Sequence, residues 1–183
     1  MKKSVILSAV LLIGMTTLVA QDGFKMPTPT KEHEFLKQFV GEWDTDMEAV
    51  MAPGQAPIKC KGNMSSKALG GFWVLNELTG DFMGTKTLGY QTIGYDPTTK
   101  KYVGTYVDSM TDHLWKYTGT VDSTSKTLTL DADGPSFTDP KKTCKFKDAY
   151  EFKSKDHIVA TSTMQGDDGK WTVIMSGNIK RKK

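Results

Sequence analysis

The chain has 183 residues, with 24 Lys and Arg against 21 Asp and Glu and a hydrophobic fraction of 38%. A formal net charge of +3 is far from the basic field that a dedicated nucleic-acid binder needs, so that partner class is excluded. The one long apolar run, near the N-terminus, is too short and wrongly flanked for a membrane span.

That run belongs to a secretory signal pattern. Lys2 and Lys3 precede apolar residues from Val5 to about Ile13, and Leu18-Val19-Ala20 offers cleavage before Gln21. No cysteine stands at the cleavage site, so a lipid anchor is not expected. Residues 1–20 are therefore read as a signal peptide and the protein as exported, to the periplasm or beyond. Lys2 and Lys3 are the only charges in those twenty residues, leaving 24 − 2 = 22 basic against 21 acidic side chains. Residues 21–30 (QDGFKMPTPT) form a loose leader, and residues 31–183 are long enough for one domain with a substantial core.

Thr30 can cap a short helix, KEHEFLKQFV, whose Phe35, Leu36, Phe39 and Val40 share one face. Gly41 stands where a left-handed residue would end it. No helical period recurs after that. Short segments rich in Thr, Val, Tyr and Trp follow at intervals of roughly ten residues, separated by PGQAP, LGG, DPTTK, DSTSK, DGPSFTDPK and GDDGK. The spacing predicts ten antiparallel strands, at 43–51, 58–68, 72–82, 87–95, 102–109, 113–121, 127–132, 144–153, 157–165 and 170–180.

Alternation assigns faces on most of them. In the first strand Trp43, Thr45, Met47 and Ala49 oppose Asp44, Asp46 and Glu48. In the eighth, Cys144, Phe146, Asp148, Tyr150 and Phe152 oppose a row of Lys and Glu. The third, FWVLNELTGDFM, is apolar on both faces at its start and gives no orientation. Hairpin registers agree with one another: Tyr95 opposite Tyr102, Asp108 opposite His113, Tyr106 opposite Trp115 and Val121 opposite Leu128. A slip of one residue would break that agreement, so the aromatic face is the interior. In an up-and-down barrel the first strand starts at an end that the helix can close. Trp43 would be the plug residue there. Arg181, which shares the inward parity of Trp171, Val173 and Met175, ends the last strand beside it, within reach of a guanidinium–indole stack.

A helix, a Gly-x-Trp on the first strand and a basic residue closing the last resemble the calycin superfamily of lipocalins and fatty-acid-binding proteins. HEFLKQFVGEW (33–43), the P-G-Q-x-P loop (53–57), LGGFW (69–73) and IGYDPTTKKYVGTYVDSMTD (93–112) more specifically resemble the secreted bacterial family catalogued as domain of unknown function 1579. The resemblance spans nearly the whole chain after the signal. It implies a calycin-like barrel of about ten strands and no established ligand or activity.

With one end plugged, the other is the mouth, and Asp108 and His113 are expected there as a cross-strand pair. In the binding reading they orient the polar end of a small apolar or amphipathic molecule whose body lies against Tyr102, Tyr106, Trp115, Tyr117 and Phe146. Two other readings stay open: an acid–base enzyme using His113 and Asp108, or a structural or interaction barrel with a filled interior. His33, His113 and His157 fall on separate elements without metal-ligand spacing, so no metal site is expected. Haem would need an inward His, and only His113 qualifies, so no cofactor is assigned. Cys60 and Cys144, in an oxidising compartment, are read as a disulfide. Closing that loop of about 85 residues would constrain the unfolded chain by roughly 4–5 kcal/mol, provided the two Cα atoms approach within about 7 Å.

Overall fold

The computed structural model of the protein describes residues 25–51, 55–136, 139 and 141–183. The expected signal peptide lies outside them. Residues 25–30 carry no regular structure, and helix α1 (Lys31–Leu36) runs into a single 3-10 turn over Lys37–Phe39. The helix therefore stops short of Gly41, which opens the first strand with φ +135°. The glycine serves packing rather than helix termination: a Cβ at this position would collide with Nη1 of Arg181.

Ten strands follow among the described residues: β1 (Gly41–Ala49), β2 (Ile58–Leu69), β3 (Trp73–Phe82), β4 (Thr85–Asp96), β5 (Lys101–Asp108), β6 (Trp115–Val121), β7 (Thr127–Pro135), β8 (Thr143–Ser154), β9 (His157–Gln165) and β10 (Trp171–Arg181). Each pairs antiparallel with its sequence neighbours, and β1 pairs with both β2 and β10, closing the barrel. Closure removes the exposed edges that a ten-stranded open sheet would present. The hairpin registers Tyr95–Tyr102, Tyr106–Trp115 and Val121–Leu128 are all present.

Helix and barrel meet at one end. Leu36 and Phe39 point down into it and are buried with Trp43, Ile93, Leu128 and Ile158. The Phe39 ring centroid lies 4.9 Å from that of Phe152 and 5.3 Å from that of Tyr150, and Phe35 sits 5.5 Å from Phe152, all edge-on. Each such fully buried side chain contributes roughly 1.5–3 kcal/mol over its exposed state. Trp43 donates its indole N–H to the Phe39 carbonyl at 2.7 Å, which fixes the helix over the first strand. The Arg181 guanidinium lies 4.0 Å from the Trp43 ring centroid on the other side and donates to the Val40 carbonyl at 2.8 Å. Gly41-x-Trp43 is thus the seam where plug, first strand and last strand join.

Three strands carry features that the sequence pattern does not give. β3 buries Val74 and Asn76 and leaves Trp73 and Leu75 on the outer wall at 40% and 38% exposure. Its inward face is partly polar and its outward face partly apolar, which is why alternation gives it no orientation. β10 carries an irregularity between Val173 and Met175. The extra residue turns Trp171 and Val173 outward while Met175 and Arg181 keep the inward parity, so the expectation that all four share one face holds only for the latter pair. Met164 faces Thr172 across this end of the β9–β10 ladder. β6 begins at Trp115, two residues later than predicted, and His113 lies in the preceding loop.

The expected disulfide is not formed: Cys60 and Cys144 are both free. Cys60 is on β2 and Cys144 on β8, with β1, β10 and β9 between them around the wall. At ordinary strand spacing and tilt a ten-stranded ring puts such positions roughly 15–20 Å apart, well beyond disulfide reach. Sharing an inward parity near one end brings side chains to the same lumen, and not to each other.

Candidate functional site

Inward parity, followed from the plug toward the open end, passes from full burial to a mixture, in which Ala49, Ala132, Cys144 and Phe146 are buried and other inward residues are not. Trp43, Ile93, Leu128, Leu130 and Ile158 are sealed, whereas Tyr106, Asp148, Tyr150, Ser162 and Met164 point inward and keep accessible surface. The registers explain the placement. The line Tyr102–Gly119–Leu130–Asp148–Ser162–Met175–Ala49 climbs from the plug to the mouth across seven strands, with Asp148 about half-way. The line Ser66–Asn76–Gln91–Tyr106–Trp115 climbs in the same manner through Gln91.

Asp148 is the centre of a polar belt at this height. Tyr117 donates its hydroxyl to one carboxylate oxygen at 2.7 Å, and Ser162 donates to the other at 2.5 Å. A second cluster stands across the lumen: Asn76 donates to Gln91 Oε1 at 2.9 Å, and Gln91 donates to the Tyr150 hydroxyl at 3.1 Å. Asn76 Oδ1 is buried without a partner. Protein atoms crowd Asp148 from every side, and burial pushes its carboxyl pKa upward, partly offset by the Ser162 and Tyr117 hydrogen bonds. It nonetheless keeps accessible surface. Burial also pushes the phenols of Tyr106, Tyr117 and Tyr150 upward, with the Asp148 charge adding to the effect, so all three stay protonated donors at neutral pH.

The residues expected to form the site are distributed along this lumen. Tyr102 belongs to the plug: it is buried, donates its hydroxyl to the Glu32 carbonyl at 3.1 Å and packs its ring on Phe35 and Tyr95. Tyr117 is in the belt. Tyr106, Trp115 and Phe146 stand between belt and mouth; the Trp115 and Phe146 ring centroids are 4.8 Å apart. Tyr106 lies across Gly89 and Trp115 across Gly134, each in space that a Cβ would claim.

Asp108 and His113 do not make the expected pair. Asp108 Oδ1 accepts from the amides of Met110 at 2.7 Å and Thr111 at 2.9 Å, so the carboxylate is spent on its own turn. His113 Nε2 sits 3.2 Å from the Asp133 carbonyl, with its ring edge-on to Trp115 at 4.8 Å. No hydrogen bond joins the two among the described residues. The Asx-type turn opens the hairpin above Tyr106–Trp115 and separates them. Asp148 and Gln91 carry the interior chemistry instead. Asp148 had a visible signal, an acid at inward parity between Phe146 and Tyr150.

The outer wall holds an open concavity of about 400 Å³ over β6 to β10, with Lys116, Asp133, Lys145, Gln165 and Trp171 in a row across it. Lys147 lies above the Trp171 ring at 4.7 Å and pairs with Asp131 at 3.5 Å. The groove is outside the barrel and separate from the lumen.

Fold and interior together define a closed ten-stranded antiparallel barrel, plugged at one end by a short helix, with a lumen of tyrosines around a single deep carboxylate. The chain belongs to the family described as Protein of unknown function (DUF1579), whose model matches residues 28–181. No curated protein matches it. Among solved structures, it resembles Rv2717c from M. tuberculosis, with a TM-score of 0.57 and 9% identity over 85% of this chain and 100% of that one. It also resembles the S-type phycobiliprotein lyase CPES from Guillardia theta, with a TM-score of 0.56 and 12% identity over 86% and 99%. A barrel titled EF1p2_mFAP2b bound to DFHBI aligns with a TM-score of 0.46 and 14% identity over 82% and 99%. At these identities the likeness concerns the fold.

Proposed function

We propose that the protein is a non-enzymatic binder of one small, partly apolar molecule, held inside the barrel. The apolar body lies against Trp115, Phe146 and Tyr106 below the mouth, and the polar end reaches the belt at Asp148, Tyr117 and Gln91. One observation carries this reading: from mid-height toward the mouth the inward Tyr106, Asp148, Tyr150, Ser162 and Met164 keep accessible surface, although Ala132 and Phe146 beside them are buried. A barrel filled as a core throughout would bury these five as it buries Trp43 and Ile158. Deep polar groups with unused hydrogen-bonding capacity fit the same reading, because a pocket needs few but well-placed polar anchors. Export, with residues 1–20 as the signal, is part of the proposal and is tested by cell fractionation with and without that segment.

Native mass spectrometry of protein purified from its own host, before and after delipidation, tests the binding. The expected result is one extra mass per chain that delipidation removes. The neutral probe N-phenyl-1-naphthylamine should then bind the delipidated protein saturably at one site. A bare mass together with no saturable probe binding would place the aromatic interior in the core and sink the reading.

A further inference from the structure

The interior is unbalanced in charge and in hydrogen bonding. Reading every strand at its inward parity, the charged residues among the described ones are Asp108, Asp148 and Arg181. Arg181 is at the plug, committed to Trp43, to the Val40 carbonyl and to Asp156. Asp108 is engaged by the amides of its turn and by the Tyr106 hydroxyl. Asp148 therefore faces the lumen with no cation opposite it. The two hydroxyls beside it are used, Tyr117 and Ser162 both donating to Asp148 itself, while across the lumen Asn76 donates one N–H to Gln91, which donates one to Tyr150. At Asp148 itself acceptor capacity is left over, in its remaining lone pairs, and the Asn76 Oδ1 acceptor is unpartnered as well. Aromatic faces surround that surplus.

We infer that the molecule in the lumen carries a cationic head, an ammonium on an apolar tail, seated between Asp148 and the rings of Tyr117, Tyr106 and Tyr150. The inference rests on the binding reading above and gives it a ligand class. A buried carboxylate is costly without a counter-charge, and an ammonium supplies both the charge and the missing donors. Tyrosine faces present negative electrostatic potential to a cation, adding attraction that an alcohol or a carboxylate would not receive. A fatty carboxylate would meet Asp148 as a like charge and is disfavoured. Burial raises the carboxyl pKa of Asp148, and an ammonium beside it would bring it down. Other groups facing it are the phenols of Tyr117 on β6, Tyr150 on β8 and Tyr106 on β5, all neutral. Its inward neighbours on β7 and β9 are Leu130 and Ser162.

The test uses three amphiphiles with one tail, decylamine, decanol and decanoate, titrated into delipidated protein at pH 7 with tryptophan fluorescence as the signal. Decylamine should bind about tenfold tighter than decanol, with decanoate weakest, the factor expected of one charge-assisted contact. Asp148→Asn, close to isosteric, should lower decylamine affinity about tenfold, while Glu48→Gln, the same charge change on the outer face of β1, should leave it unaltered. A thermal melt of each variant checks that it is folded. Equal binding of all three amphiphiles, or a preference for decanoate, would overturn the cationic head and leave the binding barrel standing. Binding of none would overturn both. An equal loss in Asp148→Asn and Glu48→Gln would reduce the preference to general surface charge and overturn the seat at Asp148.

Discussion

Arg181→Met removes the charge that ties the last strand to the plug, and the cost can be worked from its contacts. The guanidinium lies 4.0 Å from the ring centroid of a fully buried Trp43, and the Arg181 side chain is itself 28% exposed. A largely desolvated cation–π contact of this kind contributes about 1–2 kcal/mol. The 2.8 Å hydrogen bond to the Val40 carbonyl has a charged donor and contributes a further ~1.5–3 kcal/mol, since the carbonyl loses its partner. The ion pair to Asp156, at 3.2 Å, has a half-exposed acid and contributes at most ~1 kcal/mol. Methionine recovers part of the packing over the indole, and the contacts are not additive, so a net loss of about 3 kcal/mol is expected. For a domain of this size that is a fall in Tm of roughly 6–12 °C. Urea unfolding followed by tryptophan fluorescence should show a lower midpoint with an unchanged m-value.

A second change probes the same seam. Gly41→Ala puts a methyl group against Arg181 Nη1 at a φ of +135°. In the native background it must both strain the backbone and push the guanidinium away. In Arg181→Met only the backbone strain remains, so the double variant should lose less than the sum of the two. An Arg181→Met variant within about 0.5 kcal/mol of native, or strict additivity with Gly41→Ala, would refute the plug described here.

Three further outcomes follow from other contacts. Asp148 has a folded-state pKa raised by burial, so its folded form favours the proton; any stability the group contributes is full below its unfolded pKa of about 3.9 and is lost as pH rises through the folded value. Asp148→Asn should therefore be more stable than the ligand-free native protein at pH 7, with the gap closing below about pH 4, as measured by urea midpoints across pH. Gln91→Leu strips Asn76 and Tyr150 of their partner inside the barrel and should cost about 1–3 kcal/mol by the same assay. Cys60 and Cys144 should both titrate with a thiol reagent after unfolding without reductant, and reductant should leave the Tm unchanged. Burial and then the Asp81 charge raise the Cys60 thiol pKa, so it should react slowly in the folded protein at neutral pH.

The barrel was readable because turn chemistry and alternation agree over most of the chain. Pro97–Lys100 and Ser123–Lys126 set registers that alternation independently supports, giving Tyr95–Tyr102 and Val121–Leu128. The plug was readable because Gly41, Trp43 and Arg181 each need a reason to stand at a strand end. The site was less so. Parity carries no information about insertions, and one extra residue in β10 turns Trp171 and Val173 outward. Nor does it show when a hairpin opens: Asp108 captures the amides of Met110 and Thr111, and the pair with His113 is lost. Asn76 and Gln91 face each other directly across the β3–β4 hairpin, but on a β3 whose faces alternation does not distinguish. Cys60 and Cys144 fail for a related reason, since two inward positions can lie on opposite sides of the same wall.

Nitrogen–proton correlation spectra of the labelled protein, recorded as decylamine is added to the delipidated form, test the central claim most directly. A lumen site predicts saturable shifts at the amides of Gln91, Tyr106, Tyr117, Asp148, Tyr150 and Ser162, on five strands whose inward side chains share the lumen. Shifts confined to the outer wall, at Lys116, Lys145, Gln165 and Trp171 or around Trp73 and Leu75, would contradict it and move the binding surface to the outside.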